Sequence, residues 1–169
     1  MTTKTPLQQR FHQLIEQHKG ILFKVAKTYC RDPEDRQDLL QEMMIQVWRS
    51  LHNYNDKFAL TTWLYRVALN VAISFYRKNA SRLKANKLFR HEHLPIEQEL
   101  NHDQQNHLNL LEQFIAQLNH LDKALILLYL EDKSHAEISE ITGLSVSNVG
   151  TRVGRIKEKL KKKFAQTNL

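Results

Sequence analysis

Four glycines and three prolines in 169 residues leave this chain few places to turn back on itself. Both residues fall far below ordinary usage, which argues against a turn-rich all-β fold and for helices. Apolar residues recur at helical spacing to match. Phe11, Leu14, Ile15, Ile21, Leu22, Val25, Ala26 and Tyr29 mark one helix over about 8–30. No stretch alternates in the manner of a strand, and no repeat is visible. The predicted fold is all-α.

The start signals divide that helical text. Asp32-Pro33-Glu34-Asp35 reads as a helix opening: Asp32 caps, Pro33 suits the first position, and the acids suit the positive end of the dipole. That helix is expected to reach about Leu51. His52 to Ala59 is polar and reads as a loop holding Tyr54 and Phe58. Thr61 or Thr62 is expected to cap the next helix, which ends near Lys78. Residues 81–107 then break the pattern with Asn, Gln, His, charge and Pro95, and read as a flexible linker. Helical spacing returns with Leu111, Phe114, Ile115 and Leu118. Asp122 is read as the cap of Ala124–Leu130. Ser134 and Glu137 make a capping box for a short helix to Thr142, and Gly143-Leu144-Ser145 turns into a last helix from Val146 to about Phe164. The predicted units are 8–80 and 108–169, two small helical domains, the second a helix-turn-helix.

Charge narrows the choice of partner. There are 25 basic and 18 acidic residues, net +7, so an acidic partner, nucleic acid first, is expected. Seven of the basic residues lie between Arg152 and Lys163 with only Glu158 against them. They form the basic end of a helix beside an acidic body, or else a solvated C-terminal helix. Cys30 is the one cysteine, which excludes a disulfide framework and a cysteine-based zinc site. His91, His93, His102 and His107 share the linker, but no thiol or carboxylate set converges on them at ligand spacing, so no metal is expected. No run reaches the ~18–20 apolar residues of a membrane span. The first ten residues lack the apolar stretch of a signal peptide. A soluble, cytoplasmic protein without membrane contact or cofactor is the expectation.

Three helix faces carry the functional reading. At 100° per residue, Leu40, Met43, Met44, Val47 and Leu51 form a buried stripe, and Asp38, Gln41, Glu42, Ile45, Trp48 and Arg49 lie opposite. An Ile among carboxylates beside a Trp suits a basic protein partner. Packing of Ile45 and Trp48 on the helix at 8–30 accounts for them equally well. In the helix after the loop, Leu64, Tyr65, Ala68, Leu69, Val71, Ala72, Ile73 and Phe75 are apolar, and Trp63, Arg66, Val67, Asn70, Ser74 and Arg77 remain. Guanidinium, amide and indole on one stripe can hold phosphate, read a base edge and stack on an unpaired base. A solvated face is the alternative. In the last helix Val146, Val149, Val153, Ile156, Leu160 and Phe164 form a seam, and Ser147, Asn148, Thr151, Gly154, Arg155 and Lys162 face away. Such a second helix of a helix-turn-helix enters the major groove. Gly150 and Gly154 each cost it ~1 kcal/mol relative to Ala, which close approach to DNA would offset, or which reflects drift.

These residues resemble a known family. Asp38-Leu39-Leu40-Gln41-Glu42 with Val47-Trp48 resembles the core-binding segment of bacterial RNA polymerase sigma factors. Thr62-Trp63-Leu64-Tyr65-Arg66-Val67-Ala68-Leu69-Asn70 is similar to their promoter −10 segment. Leu128-Tyr129-Leu130, Ser134 to Gly143 and Leu144 to Arg155 are similar to their −35-binding helix-turn-helix. The layout is that of the extracytoplasmic-function (ECF) type of the sigma-70 family. The resemblance implies that Asp38, Leu39, Gln41, Glu42, Ile45 and Trp48 dock on the β′ clamp helices of core polymerase, with the β flap as a further contact. It implies −10 DNA contacts from Tyr54, Trp63, Arg66, Val67, Asn70, Ser74 and Arg77, with Tyr54, the loop 55–61, Val67 and Asn70 around a flipped base. Contacts to −35 fall to Ser147, Asn148, Thr151, Arg152, Arg155 and Lys159. An anti-sigma factor is common for such proteins. Gly150 departs from the Lys or Arg usual in the family, Gly154 from a larger residue and Ser139 from Ala, so the −35 contact set is expected to be thin.

No nucleophile elbow, phosphate-binding glycine loop or paired metal motif is present, so an enzyme is not expected. A stand-alone helix-turn-helix regulator would leave the faces at 38–49 and 63–77 idle. A sigma-related interaction module that binds no DNA would leave the basic stripe unexplained.

Overall fold

The computed structural model describes residues 5–82 and 102–167. Its elements are α1 (Pro6–Tyr29), α2 (Pro33–Ser50), a 3-10 turn (Leu51–Asn53), α3 (Leu60–Lys78), α4 (His102–Ala116), α5 (His120–Leu130), α6 (His135–Thr142) and α7 (Val146–Thr167). Most of the expected linker, residues 83–101, lies outside the described residues, with His91 and His93 in it. Its last residues, from His102, are already helix.

Local chemistry explains where the helices begin. Thr5 and Gln8 form a reciprocal capping box ahead of α1, with Pro6 in the first turn. Asp32 Oδ1 accepts from the Glu34 and Asp35 amides at 2.8 and 3.2 Å. α3 departs from expectation: neither Thr61 nor Thr62 caps it. It starts at Leu60 after Ala59, with no side-chain cap, and Thr62 is buried in its first turn. Packing of that turn into the core holds the helix end where a cap would otherwise be needed.

α1, α2 and α3 close the first core. The buried stripe of α2 is Leu39, Met43, Val47 and Leu51, with Asp35 one turn ahead. Met43, Val47 and Leu51 lie in it as expected, but its centre is rotated toward Leu39, so Leu40 is half-buried and Met44 is exposed. Burial of Leu39, Met43, Val47 and Leu51 sets that rotation, and it carries Asp35 inward with them. The Asp35 carboxylate is buried and meets Arg82 at 2.8 Å. Cys30 is buried nearby, and burial followed by the Asp35 charge pushes its thiol up to about 11.

α5, α6 and α7 close the second core, with α4 alongside. Asn119, not Asp122, caps α5. Its Oδ1 accepts from the Asp122 amide at 2.9 Å, and its amide donates to the Asp122 carboxylate at 2.9 Å. The capping box of α6 forms as the sequence indicates, Ser134 with Glu137 at 2.8 and 3.1 Å. The Ser134 amide and hydroxyl hold the Glu137 carboxyl below its ordinary value. Gly143 takes φ 77°, the left-handed turn that frees α7 to cross back. The α7 seam is Val149, Val153, Ile156 and Leu160. Val146, expected in it, stands 50% exposed because it belongs to the first turn, beyond the reach of α5. Phe164 is half-buried against Phe114, ring to ring at 5.0 Å.

The two units dock where α6 packs on α3 and where α4 and α5 meet α1, and the start of α5 sits in this seam. Lys123 is 3% exposed, with its ammonium 5.1 Å from the Tyr76 ring centre and 5.8 Å from that of Tyr29. The Tyr29 hydroxyl donates to the His120 carbonyl at 2.5 Å, and the His120 ring stands edge-on to Tyr76 at 4.2 Å. Lys24–Glu131 at 2.5 Å and Lys27–Glu112 at 2.9 Å close the edges.

Two predictions follow from this packing. Arg82→Ala leaves the buried Asp35 carboxylate without its cation and should cost about 2 kcal/mol in chemical denaturation. His120 is half-buried among Tyr29, Tyr76, Arg77 and Lys123. Burial first, then the Lys123 and Arg77 charges, lowers its pKa from 6.5. The docked state therefore favours neutral imidazole, its stabilisation is complete above 6.5, and it weakens as pH falls below that value. Melting temperature should drop further between pH 7.5 and 5.5 in the wild type than in His120→Phe. Equal drops would refute the assignment.

Candidate nucleic-acid and protein interfaces

The outer face of α2 is set by the inward packing of Leu39, Met43 and Val47. Asp38, Gln41 and Glu42 are exposed, as are Ile45 at 49% and Trp48 at 37%. The Trp48 ring meets Phe11 of α1 edge-on at 5.3 Å. Trp48 is thus braced by α1 and still partly exposed. Leu39 is a correction. It is fully buried and cannot reach a partner, because it shares the inward stripe. Met44, at 38% exposed, joins Ile45 and Trp48 on the surface instead. The sequence pattern misses it because Met44 falls at the edge of the apolar arc and counts there among the buried residues.

The second surface is built from the loop after α2 and the start of α3. The Tyr54 hydroxyl donates to the Phe58 carbonyl at 2.7 Å, which pinches the loop shut. Asp56 holds φ 57°, the left-handed region that Asp tolerates better than most residues. Tyr54 leans on Trp63, ring centres 5.2 Å apart, and Arg10 of α1 lies 5.5 Å over its other side. Arg66 sits 5.2 Å over the Phe58 ring. Desolvation, then Asp56, raises the Tyr54 phenol, so it stays a neutral donor. Val67 is half-buried and Asn70 exposed on the same side of α3. Tyr54, Trp63, Arg66, Val67 and Asn70 therefore gather. Ser74 and Arg77 are exposed but lie farther along, ~16 and ~21 Å down the helix from Trp63 at 1.5 Å per residue. Arg10 escaped the sequence reading because nothing in its local spacing ties it to the loop.

The third surface is the outer side of α7. Ser147, Asn148, Thr151, Arg155 and Lys159 are all exposed there. Gly150, Thr151, Gly154, Arg155, Glu158, Lys159 and Lys162 line one open strip along this face, shallow where the glycines lack side chains. Arg152 is a correction. It is half-buried and turned to the Asp122 carboxylate at 3.5 Å, because 100° per residue places it beside the seam. Lys157 is likewise drawn aside, to the Tyr129 hydroxyl at 3.1 Å, and Lys163 pairs with Gln117. The basic run thus sorts into inward and outward cations. Ser139 also has a use: its hydroxyl donates to the Leu144 carbonyl at 2.5 Å and ties the turn to α6. Among the described residues no group of His, Cys, Asp and Glu is placed to hold a metal ion. No helix among them is long and apolar enough to cross a membrane.

Comparison with known proteins covers both units. The family model described as Sigma-70 region 2 matches residues 14–82, and that described as Sigma-70, region 4 matches residues 108–160. The chain is 25% identical over 168 residues to the ECF RNA polymerase sigma factor SigW of Bacillus subtilis, covering 93% of this chain and 90% of the relative. It is 27% identical over 142 residues to the sigma factor SigV of the same organism, covering 83% and 82%. To the ECF sigma-E factor of Haemophilus influenzae it is 26% identical over 171 residues, covering 91% and 87%. Among solved structures it resembles the Bartonella quintana sigma factor RpoE held by the anti-sigma factor NepR, TM-score 0.73 at 19% identity, covering 92% and 97%. CnrH in complex with the cytosolic domain of CnrY gives 0.68 at 21%, covering 94% and 90%. With region 2 matched on α1–α3, region 4 matched on the helix-turn-helix, and ECF relatives aligned along nine-tenths of its length, the chain belongs to the sigma-70 family and is a sigma factor of the ECF type.

Proposed function

We propose that the three surfaces divide promoter recognition and polymerase attachment between them. The α2 face of Asp38, Gln41, Glu42, Ile45 and Trp48, widened by Met44, docks on core RNA polymerase at the β′ clamp helices. Residues 8–80 read the −10 element. The Tyr54–Trp63 pair, Val67 and Asn70 receive an unstacked base, whose extrusion costs a few kcal/mol that the pocket offsets, and Arg66 and Arg10 hold phosphate beside it. Residues 108–169 meet the β flap and the −35 element, with Ser147, Asn148, Thr151, Arg155 and Lys159 on the DNA side of α7. The protein makes and breaks no bond itself. It acts in the compartment of the polymerase, the cytoplasm, with an anti-sigma factor as a further partner of the kind its structural relatives bind. The observation that carries this reading is the coexistence of an apolar–acidic face on α2 with two other surfaces that expose cations, amides and hydroxyls, on α3 and on α7. A stand-alone DNA-binding regulator would have no use for the first.

The docked arrangement also implies a motion. The −10 and −35 elements are named for positions ~25 base pairs apart, which is on the order of 85 Å of duplex at ~34 Å per turn. A compact chain of this length has a radius of gyration of only ~15 Å. The contacts of Lys123, Tyr29 and Tyr76 therefore have to part when both elements are read.

Run-off transcription from genomic fragments with core polymerase, with and without the protein, tests the function, and absence of protein-dependent transcripts would refute it. Glu42→Arg combined with Ile45→Asp, both at exposed sites, should abolish co-purification with core polymerase and leave the circular dichroism unchanged. Asn70→Ala should keep polymerase binding and cut promoter opening at least tenfold, read by permanganate reactivity of the melted strand; unchanged opening would remove Asn70 from the pocket.

A further inference from the structure

The two glycines of α7 differ in what surrounds them. A Cβ added at Gly154 would meet nothing within 4 Å. A Cβ added at Gly150 would stand 3.3 Å from His135 Nδ1 and 3.5 Å from His135 Cε1. Both glycines lie along the same basic strip, with Thr151, Arg155 and Lys159. Only at Gly150 does another element fill the place left by the missing side chain, and the filler is the first residue of α6.

His135 is exposed, and it makes no hydrogen bond or ion pair among the described residues. Its neighbours in α6 are already engaged with each other. Ser134 and Glu137 close the capping box, and Lys133 reaches Glu137 at 3.7 Å. The imidazole is therefore positioned by the shape of α7 at Gly150, with its polar edge uncommitted. An uncommitted donor at the end of a basic strip suits a phosphate oxygen, to which an imidazole N–H donates whether the ring is neutral or charged.

We propose that His135 is a DNA contact of the −35 surface, a phosphate donor that takes the place of a side chain at position 150. Gly150 is the residue that admits it. The strip then runs from His135 over Gly150 to Thr151, Arg155 and Lys159. This rests on the −35 reading of α7 given above and adds to it a residue from the preceding helix. It also assigns the two glycines different roles. Gly150 makes room for a ring, and Gly154 leaves the strip open.

The consequence is competition for one place. An arginine at 150 brings its Cβ to 3.3 Å from the ring, which has to give by a few tenths of an ångström, and its guanidinium seeks the same phosphate, so one donor is exchanged for another. With the ring removed, the same arginine has the place to itself. The test uses the full chain assembled with core polymerase. The probe is a promoter fragment recovered in the run-off experiment, either whole or cut immediately downstream of its −35 element. His135→Ala should weaken binding of the whole fragment roughly tenfold, the size of one hydrogen bond to a charged group, and leave binding of the cut fragment unchanged. Gly150→Arg alone should stay within about threefold of wild type. The double variant should recover most of what His135→Ala lost, and its affinity should fall more steeply with salt by ~0.9 in the logarithmic slope.

Failure of the inference and failure of the sigma reading look different. If no fragment is recovered by run-off, the underlying reading falls. If a fragment is recovered but His135→Ala binds it as wild type does, His135 is not a contact. Equal loss on whole and cut fragments, with a lowered melting temperature, would make the ring a packing residue only and overturn the proposal. Gly150→Arg tightening binding equally with and without His135 would show that the two side chains do not share one place, and would overturn it as well.

Discussion

A lysine ammonium lies buried over two tyrosine rings, and the placement of one half of the molecule against the other turns on it. Taking an ammonium out of water costs several kcal/mol unless partners replace the lost hydration. Tyr29 at the end of α1 and Tyr76 at the end of α3 present their π-faces to Lys123, and each desolvated contact of this kind contributes about 2 kcal/mol. The Tyr29 hydroxyl then satisfies the His120 carbonyl in the first turn of α5. Together with the direct packing of α6 on α3, this cluster orients α6 and α7 relative to α1–α3. The rim ion pairs, such as Lys27–Glu112, are too exposed to decide anything by themselves.

A contact built on a buried charge is strong in one geometry and expensive in any partial one. It suits a two-state arrangement, docked or apart, better than a gradual one. That property matters for a protein whose two DNA-reading surfaces must serve sites farther apart than the docked molecule reaches. The surfaces themselves do not change between the two states, since each is rigidified by its own core. The Tyr54–Phe58 hydrogen bond and the Trp63 contact belong wholly to the first unit, and the capping box and the Ser139–Leu144 bond belong wholly to the second.

Residues that depart from the family's usual pattern acquire local reasons in this fold. Ser139 donates to the turn carbonyl, a bond Ala could not make, and so holds the turn in shape without help from the recognition helix. Gly150 lies under an imidazole and Gly154 under nothing. Within α7, the same run of cations is divided by helix phase. Arg152 neutralises Asp122 at the start of α5, whereas Arg155 and Lys159 stay on the open strip. Charge counted along the sequence overstates what the DNA side receives.

The sequence by itself determined the helices, most of their starts, the helix-turn-helix and the three candidate faces, because these rest on interactions within four residues: caps, i, i+4 stripes and a glycine turn. Asp32, Ser134 and Gly143 do what their positions dictate whatever surrounds them. Tertiary structure decided what a single helix leaves free. The rotation of α2 was settled by packing of Leu39, Met43 and Val47 against α1 and α3, which left Met44 outside and brought Asp35 in to meet Arg82. The start of α3 was settled by burial of Thr62 rather than by a cap. Arg10 on Tyr54, Asp122 on Arg152, His135 on Gly150 and Lys123 between two tyrosines all join residues from different elements. No periodicity encodes such pairs, since their energy comes from groups that only the folded chain brings within reach.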